Sequence, residues 1–346
     1  MTVKLFITGV TGYIAGDATH TIYGEHPDYD YTFLVRTEDK AAIVRKAYPS
    51  AKVVLGDLDD SALLKEQSSK ADIVLHAADA SDHEGAAKAI AAGLVEGHSK
   101  EHPGYWLHTG GTGILTYKDS ENDFATLGHH SDKEYNDGDK VEELTTLPDE
   151  AFHRNVDKLV LGTGTKHQDS VKTVIVCPPT IYGTGRGPIS GRGRQVYELA
   201  NLILNKSAIP VVGEGKARWN NVHIEDLSDV FLSLVNKAAA KDTDPEIWGP
   251  KGYILTENGE HVWTDLATTI AEKATQLGFI EGDPKPYKLS KDEALKQAGF
   301  EAVSWGLNSR GKAVRAREQL GWKPSRVSIE GDVPNILKAE KERQKK

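Results

Sequence analysis

The first sixteen residues leave few folds open to this chain. Val3-Lys4-Leu5-Phe6-Ile7-Thr8 reads as a buried strand, and it runs directly into Gly9-Val10-Thr11-Gly12-Tyr13-Ile14-Ala15-Gly16. Gly9 permits a tight turn. Gly12 has no Cβ, so the backbone can come close to a pyrophosphate, and Ala15 or Gly16 lets the following helix pack on the strand. The start of that helix offers free N–H groups and the positive end of its dipole to phosphate oxygens. A glycine trio alone says little, but a strand before it and a helix after it give the motif its meaning.

The same alternation continues downstream. Apolar runs at Tyr31–Arg36, Lys52–Leu55, Ala71–Ala77, Tyr105–Thr109 and Thr173–Cys177 are separated by helix-like stretches. Strand and helix in alternation predict an α/β fold: a doubly wound parallel Rossmann sheet with helices on both faces. Residues 1–182 read as the NAD(P)-binding domain, with 220–250 returning to it, while 183–219 and 251–346 read mainly as a smaller C-terminal substrate lobe. The polar stretch Lys118–Asp149 reads as a long surface excursion, of the kind that is usually functional or mobile.

Composition narrows the partners. The formal charge of −9 over 346 residues opposes broad binding to nucleic acid or to anionic membrane. Cys177 is the only cysteine, so no disulfide forms within the chain. No apolar run approaches the about 20 residues of a membrane span, and the N-terminus lacks the apolar core of a signal peptide. The expectation is a cytoplasmic protein with a small-molecule substrate and neither nucleic acid nor membrane as partner. His98-Ser99-Lys100-Glu101-His102 spells a zinc-peptidase pattern, but Pro103-Gly104 ends the helix that it requires. No metal site is expected.

The second strand ends in Leu34-Val35-Arg36-Thr37. NAD enzymes commonly carry an acid here for the ribose 2′-hydroxyl, whereas an arginine suits a 2′-phosphate. Arg36, with Lys40 nearby, therefore points to NADP, with NAD as the alternative. Asp57, after the third strand, is placed to accept from the adenine amino group. The small Ala77-Ala78 after the fourth strand lets the chain pass close to the adenine ribose.

Taken together, these segments resemble the extended short-chain dehydrogenase/reductases, a group that includes nucleotide-sugar epimerases, dihydroflavonol-type reductases and NmrA-like regulators. Thr8-Gly9-Val10-Thr11-Gly12-Tyr13-Ile14 is similar to the family's TGxxGxxG fingerprint, with Ala15 at the last glycine, and Asp57-Leu58 to its acidic-Leu pair. Pro178-Pro179-Thr180-Ile181-Tyr182-Gly183, Asn221-Val222-His223-Ile224-Glu225-Asp226-Leu227 and Leu320-Gly321-Trp322-Lys323-Pro324 resemble three later family segments in the right order. The resemblance implies cofactor contacts from Gly9, Thr11, Gly12, Tyr13, Ile14, Arg36, Asp57, Leu58, Ala77, Ala78, Pro178, Thr180 and Ile181. It places Tyr182, Arg186, Asn221 and His223 near the substrate. Dimers through paired helices are common in this superfamily, so a homodimer is an open expectation.

Catalysis in this family uses a Ser or Thr, a Tyr and a Lys, with Tyr and Lys four residues apart. Thr112, then Thr109, is the hydroxyl candidate by register. No tyrosine in this chain has a lysine four residues later. Within Phe152-His153-Arg154-Asn155-Val156-Asp157-Lys158, Lys158 falls at the lysine position, where it would hold the nicotinamide ribose, and Arg154 falls at the tyrosine position. A guanidinium keeps its proton and cannot serve as a general acid. His153, Tyr135 and Tyr182 are the remaining proton donors, and His153 has the most suitable intrinsic pKa. The leading expectation is an NADP-dependent reductase or dehydrogenase acting on a small carbonyl or alcohol without a Tyr-x-x-x-Lys pair. A nucleotide-sugar epimerase or dehydratase using bound NAD, and a non-catalytic NADP-sensing regulator, are the alternatives.

Overall fold

The computed structural model describes residues 2–345. Seven parallel strands form its central sheet: β1 (Lys4–Thr8), β2 (Asp30–Val35), β3 (Lys52–Leu55), β4 (Ile73–His76), β5 (Gly104–Thr109), β6 (Val171–Cys177) and β7 (Tyr253–Leu255). Their spatial order is β7-β6-β5-β4-β1-β2-β3. The chain winds outward from β1 to β3, then returns to the other side of β1 at β4. The strand order therefore reverses between β1 and β4, and a crevice opens at the carboxyl ends of those strands. Strands β4 and β5 are buried along their whole length. That is why they read as continuous apolar runs rather than alternating ones.

Two apolar cores hold the chain together. One lies around the central sheet and includes Phe6, Ile7, Leu75, Trp106 and Val174. The other gathers the helices Gln195–Lys206, Trp263–Gln276 and Ile329–Arg343 around the short strand Ile209–Val212. Trp219, Trp263 and Trp305 form a run of rings through this second core, with centroids 6.1 and 6.5 Å apart.

The sequence pattern misplaces two segments. Tyr253–Leu255, grouped above with the smaller lobe, pairs in parallel with Ile175–Cys177 as the outermost strand of the central sheet. Three residues of local pattern carry no information about which sheet they join. The excursion Lys118–Asp149 is also far from a free loop, because Tyr135, Val141, Leu144 and Leu147 are buried. Its anchor is the buried Asp137, whose carboxylate accepts backbone N–H bonds from Leu255 at 2.8 Å, Val314 at 2.6 Å and Arg315 at 3.1 Å. Burial nonetheless lifts the Asp137 carboxyl to about 6. No helix among the described residues is long and apolar enough to cross a membrane.

Candidate cofactor and active-site cleft

The glycine turn takes the form its residues require. Gly9 has φ +88°, and a Cβ on it would lie 2.9 Å from the Ala78 nitrogen and 3.0 Å from the Ala77 carbonyl carbon. The turns after β1 and β4 thus press directly together, which accounts for the small residues at 77 and 78. The Gly12 N–H donates to the Gly9 carbonyl at 2.7 Å. Gly12 then caps the helix Tyr13–Glu25, which has no side-chain cap and no acid in its first turn. Among the described residues no side chain caps this helix end, so an anionic group fits there.

The other expected cofactor residues lie along the same edge. Thr11 and Ile14 are half-buried beside the turn. The Tyr13 hydroxyl is engaged by the protein, donating to the Gly183 carbonyl at 2.5 Å. Arg36 is exposed at the end of β2. Asp57 accepts the Asp59 N–H at 2.9 Å, and Leu58 packs on the core. Pro178 accepts the Thr112 N–H at 3.0 Å. Thr180 is buried and donates to Gln195 at 2.9 Å, with half-buried Ile181 after it.

At the end of β5, Thr109 and Thr112 are buried, and neither hydroxyl has a hydrogen-bond partner among the described residues. Between them runs Gly110-Gly111, and His153 stands over this glycine run. A Cβ on Gly111 or Gly113 would lie 3.7 or 3.4 Å from the His153 Nε2. The other ring nitrogen, Nδ1, meets the Asp82 carboxylate at 2.6 Å, and the His153 side chain is only 10% exposed. That bond is also the main reason the Asp82 carboxyl sits below its usual range. His153 holds a left-handed backbone conformation, φ +67°, at the entrance to the helix Arg154–Lys166. For a non-glycine residue this is uncommon, and such geometry concentrates at functional sites.

Lys158 departs from the sequence expectation. Its ammonium points outward to both oxygens of Asp149, at 2.8 and 2.7 Å, and the side chain is 57% exposed. The inward position belongs to Asp157, one residue and so about 100° around the helix. Asp157 is buried beside Gly110; its Oδ2 accepts from the Tyr253 hydroxyl at 2.8 Å and its Oδ1 has no partner among the described residues. Burial raises its carboxyl to about 6. Arg154 is likewise turned away from the glycine run, donating to the Thr145 carbonyl at 2.8 Å. His153 and Asp157 therefore carry the four-residue spacing that the sequence reading assigned to positions 154 and 158.

The residues expected near the substrate are engaged elsewhere. Arg186 donates to both oxygens of the fully buried Asp17, at 3.0 and 2.7 Å, and to Thr21. The buried Tyr182 donates to the Val327 carbonyl at 2.8 Å. Asn221 is bonded to His261 at 3.0 Å. His223 caps the helix Ile224–Ala239 by accepting the Glu225 N–H at 3.2 Å. His76 and His108 are buried with their rings 5.5 Å apart, and burial lowers both pKa values, that of His76 to about 3. Two histidines at strand ends give no local signal that their rings will meet across neighbouring strands.

Sheet, glycine turn and helix terminus together define a dinucleotide-binding Rossmann protein of the extended short-chain dehydrogenase/reductase type. The chain belongs to the NAD dependent epimerase/dehydratase family, whose model matches residues 136–248. It is 38% identical to the oxidase ucsJ of an Acremonium species over 99% of both chains. Among solved structures it is similar to the dTDP-glucose 4,6-dehydratase of Bacillus anthracis, solved in complex with NAD (TM-score 0.66, 12% identity, covering 99% of this chain and 98% of that one). It is also similar to the UDP-glucose 4-epimerase of Thermotoga maritima, solved with UDP-glucose (TM-score 0.63, 13% identity, 99% of both chains). At those identities the two structures speak for the fold alone.

Proposed function

We propose that this protein is an NADP-preferring oxidoreductase that interconverts a small carbonyl compound and its alcohol. The observation that carries the reading is His153, oriented by Asp82 at 2.6 Å and set over the glycine run between Thr109 and Thr112. A histidine held by a carboxylate through one ring nitrogen can exchange a proton with a substrate through the other. His153 thus takes the proton-transfer role that the family resemblance assigns to tyrosine. The unpartnered hydroxyl of Thr112, with Thr109 as the second candidate, binds the substrate oxygen.

Gly9, Thr11, Gly12, Tyr13 and Ile14 would hold the pyrophosphate, Ala77 and Ala78 the adenine ribose, and Pro178, Thr180 and Ile181 the nicotinamide end. Asp57 and Leu58 would border the adenine. Arg36 is exposed and makes no ion pair among the described residues, so its guanidinium is free for a 2′-phosphate. The nicotinamide, when bound, supplies or accepts the hydride. In this reading residues 183–219 and most of 251–346 form the lobe that closes over the substrate, and the protein works in the cytoplasm. Calorimetric titration with NADPH and NADH, on wild type and Arg36→Ala, tests the proposal. Tighter NADPH binding that Arg36→Ala removes supports it, and equal binding of both cofactors in both proteins overturns the cofactor preference.

A further inference from the structure

Two phenylalanines meet above His153, and each comes from a different part of the chain. Phe152 precedes His153, and their ring centroids are 3.8 Å apart. Phe300 belongs to the helical stretch Lys291–Ser304 that packs in the second core, and its ring lies 5.3 Å from that of Phe152, tilted by 40°. Both rings are open to solvent, Phe152 at 43% and Phe300 at 40%. Large exposed aromatics in mutual contact are uncommon on a protein surface and mark places where something apolar binds. The backbone also breaks to present Phe300: the helix is interrupted at Ala298 (φ −150°, ψ 34°) and Gly299 (φ 63°, ψ −152°). That glycine conformation is strained for any residue with a side chain.

The cations that might greet a phosphorylated substrate are already matched. Arg186 is bound to the buried Asp17 and reaches Glu225. Arg192 is bound to Glu340, itself 1% exposed, and to Glu198. Arg194 is bound to Glu301 at 2.6 Å. A diphosphate that recruited Arg186 or Arg192 would have to break their pairs with the buried Asp17 and Glu340, leaving those charges without partners.

We infer that the substrate carries a planar apolar ring system and no phosphate, with Phe152 and Phe300 as the specificity-determining residues whose joined surface it lies against beside His153. The inference rests on the carbonyl–alcohol reading above and deepens it by naming the substrate class. Aromatic rings pack well on flat apolar ligands, and the exposed area of these two rings adjoins His153.

The test is calorimetric binding of 2-naphthaldehyde to protein saturated with NADP⁺, a combination that cannot react, followed by turnover with NADPH. Wild type is expected to bind the aldehyde, and UDP-glucose is expected not to displace it. Phe152→Ala and Phe300→Ala should each weaken binding about tenfold, the loss of roughly one ring contact. Phe300→Leu should recover part of that loss. Both side chains are exposed, so a folding defect is not expected, and a thermal melt of each variant checks this. No binding of 2-naphthaldehyde, displacement by UDP-glucose, or binding within twofold of wild type in Phe300→Ala overturns the inference. Tight naphthaldehyde binding without NADPH oxidation supports the aromatic surface and overturns the oxidoreductase reading. Turnover of propanal with no preference for the naphthyl aldehyde does the reverse.

Discussion

Asp17 lies wholly inside the protein, and Arg186 reaches both of its carboxylate oxygens, at 3.0 and 2.7 Å, from a loop 169 residues further along the chain. Ser228 donates to the same carboxylate at 2.6 Å. The helix that starts at the glycine turn is thereby tied to the glycine- and arginine-rich loop after β6. Removing one partner of a buried ion pair leaves the other charge uncompensated.

Arg186→Ala should therefore destabilise the protein by about 3–5 kcal/mol in urea unfolding at pH 7. Burial alone would raise the Asp17 pKa, and the Arg186 and Ser228 bonds carry it below the usual carboxylate value instead. A depressed carboxyl contributes stability above its unfolded pKa and loses it as pH falls through the folded one. The gap between wild type and Arg186→Ala should narrow below about pH 4. A loss under about 1 kcal/mol at pH 7 would show that the clasp is not structural.

His153→Gln should lower kcat by roughly 100-fold or more, the usual worth of a general acid–base, while leaving NADPH affinity within about twofold. Asp82→Asn keeps a hydrogen-bond acceptor beside Nδ1 but removes the charge. It should cost about tenfold in kcat, because the imidazole loses the charged partner that orients it. Both variants keeping full kcat would remove His153 from the chemistry.

Lys158→Ala should leave kcat and cofactor affinity within about twofold, since the Lys158–Asp149 pair is exposed and such pairs are worth little. This result would separate the outward-facing lysine of the structure from the ribose-holding lysine that the sequence spacing suggests. A large loss of NADPH affinity in Lys158→Ala would restore the earlier register.

Asp157→Asn addresses the residue that faces inward. With its carboxyl raised to about 6 by burial, Asp157 contributes stability that is fully present below the unfolded carboxylate value and is lost as pH rises through 6. The asparagine has no charge to desolvate. Its Tm relative to wild type should therefore rise between pH 4 and pH 8, by an amount corresponding to at most about 3 kcal/mol. A Tm difference that is the same at both pH values would mean that Asp157 ionises as freely in the folded chain as in the unfolded one.

The parts of this architecture that could be read from sequence are those whose cause is local. An apolar run followed by Gly9-Val10-Thr11-Gly12 specifies its own turn, and β4 and β5 announce themselves because burial on both faces demands unbroken apolar residues. The phase of the helix at 154–166 was not legible. One residue of slip separates Asp157 from Lys158, and the left-handed backbone of His153 that sets the phase has no signature in Phe152-His153-Arg154. The partners of Arg186 and Arg192 have no local signature, because Asp17 and Glu340, which bind them, lie 169 and 148 positions away. Phe300 gave no signal at all, since its meaning depends entirely on its contact with Phe152, 148 positions earlier in the chain.

The carboxylate of Asp137 imposes an order on the making of this protein. It gathers backbone N–H groups from Leu255, Val314 and Arg315, while Tyr135–Asn136 pairs with Gly311–Lys312. A ribosome that has released only residues 1–182 has therefore produced a sheet without its last strand and a buried acid with none of its donors. The nucleotide-binding half is not a module that can be cut at Tyr182 and expected to stand. It is completed by residues that emerge last, so nascent chains halted before position 315 should remain chaperone-bound and protease-sensitive along the stretch from 118 to 149.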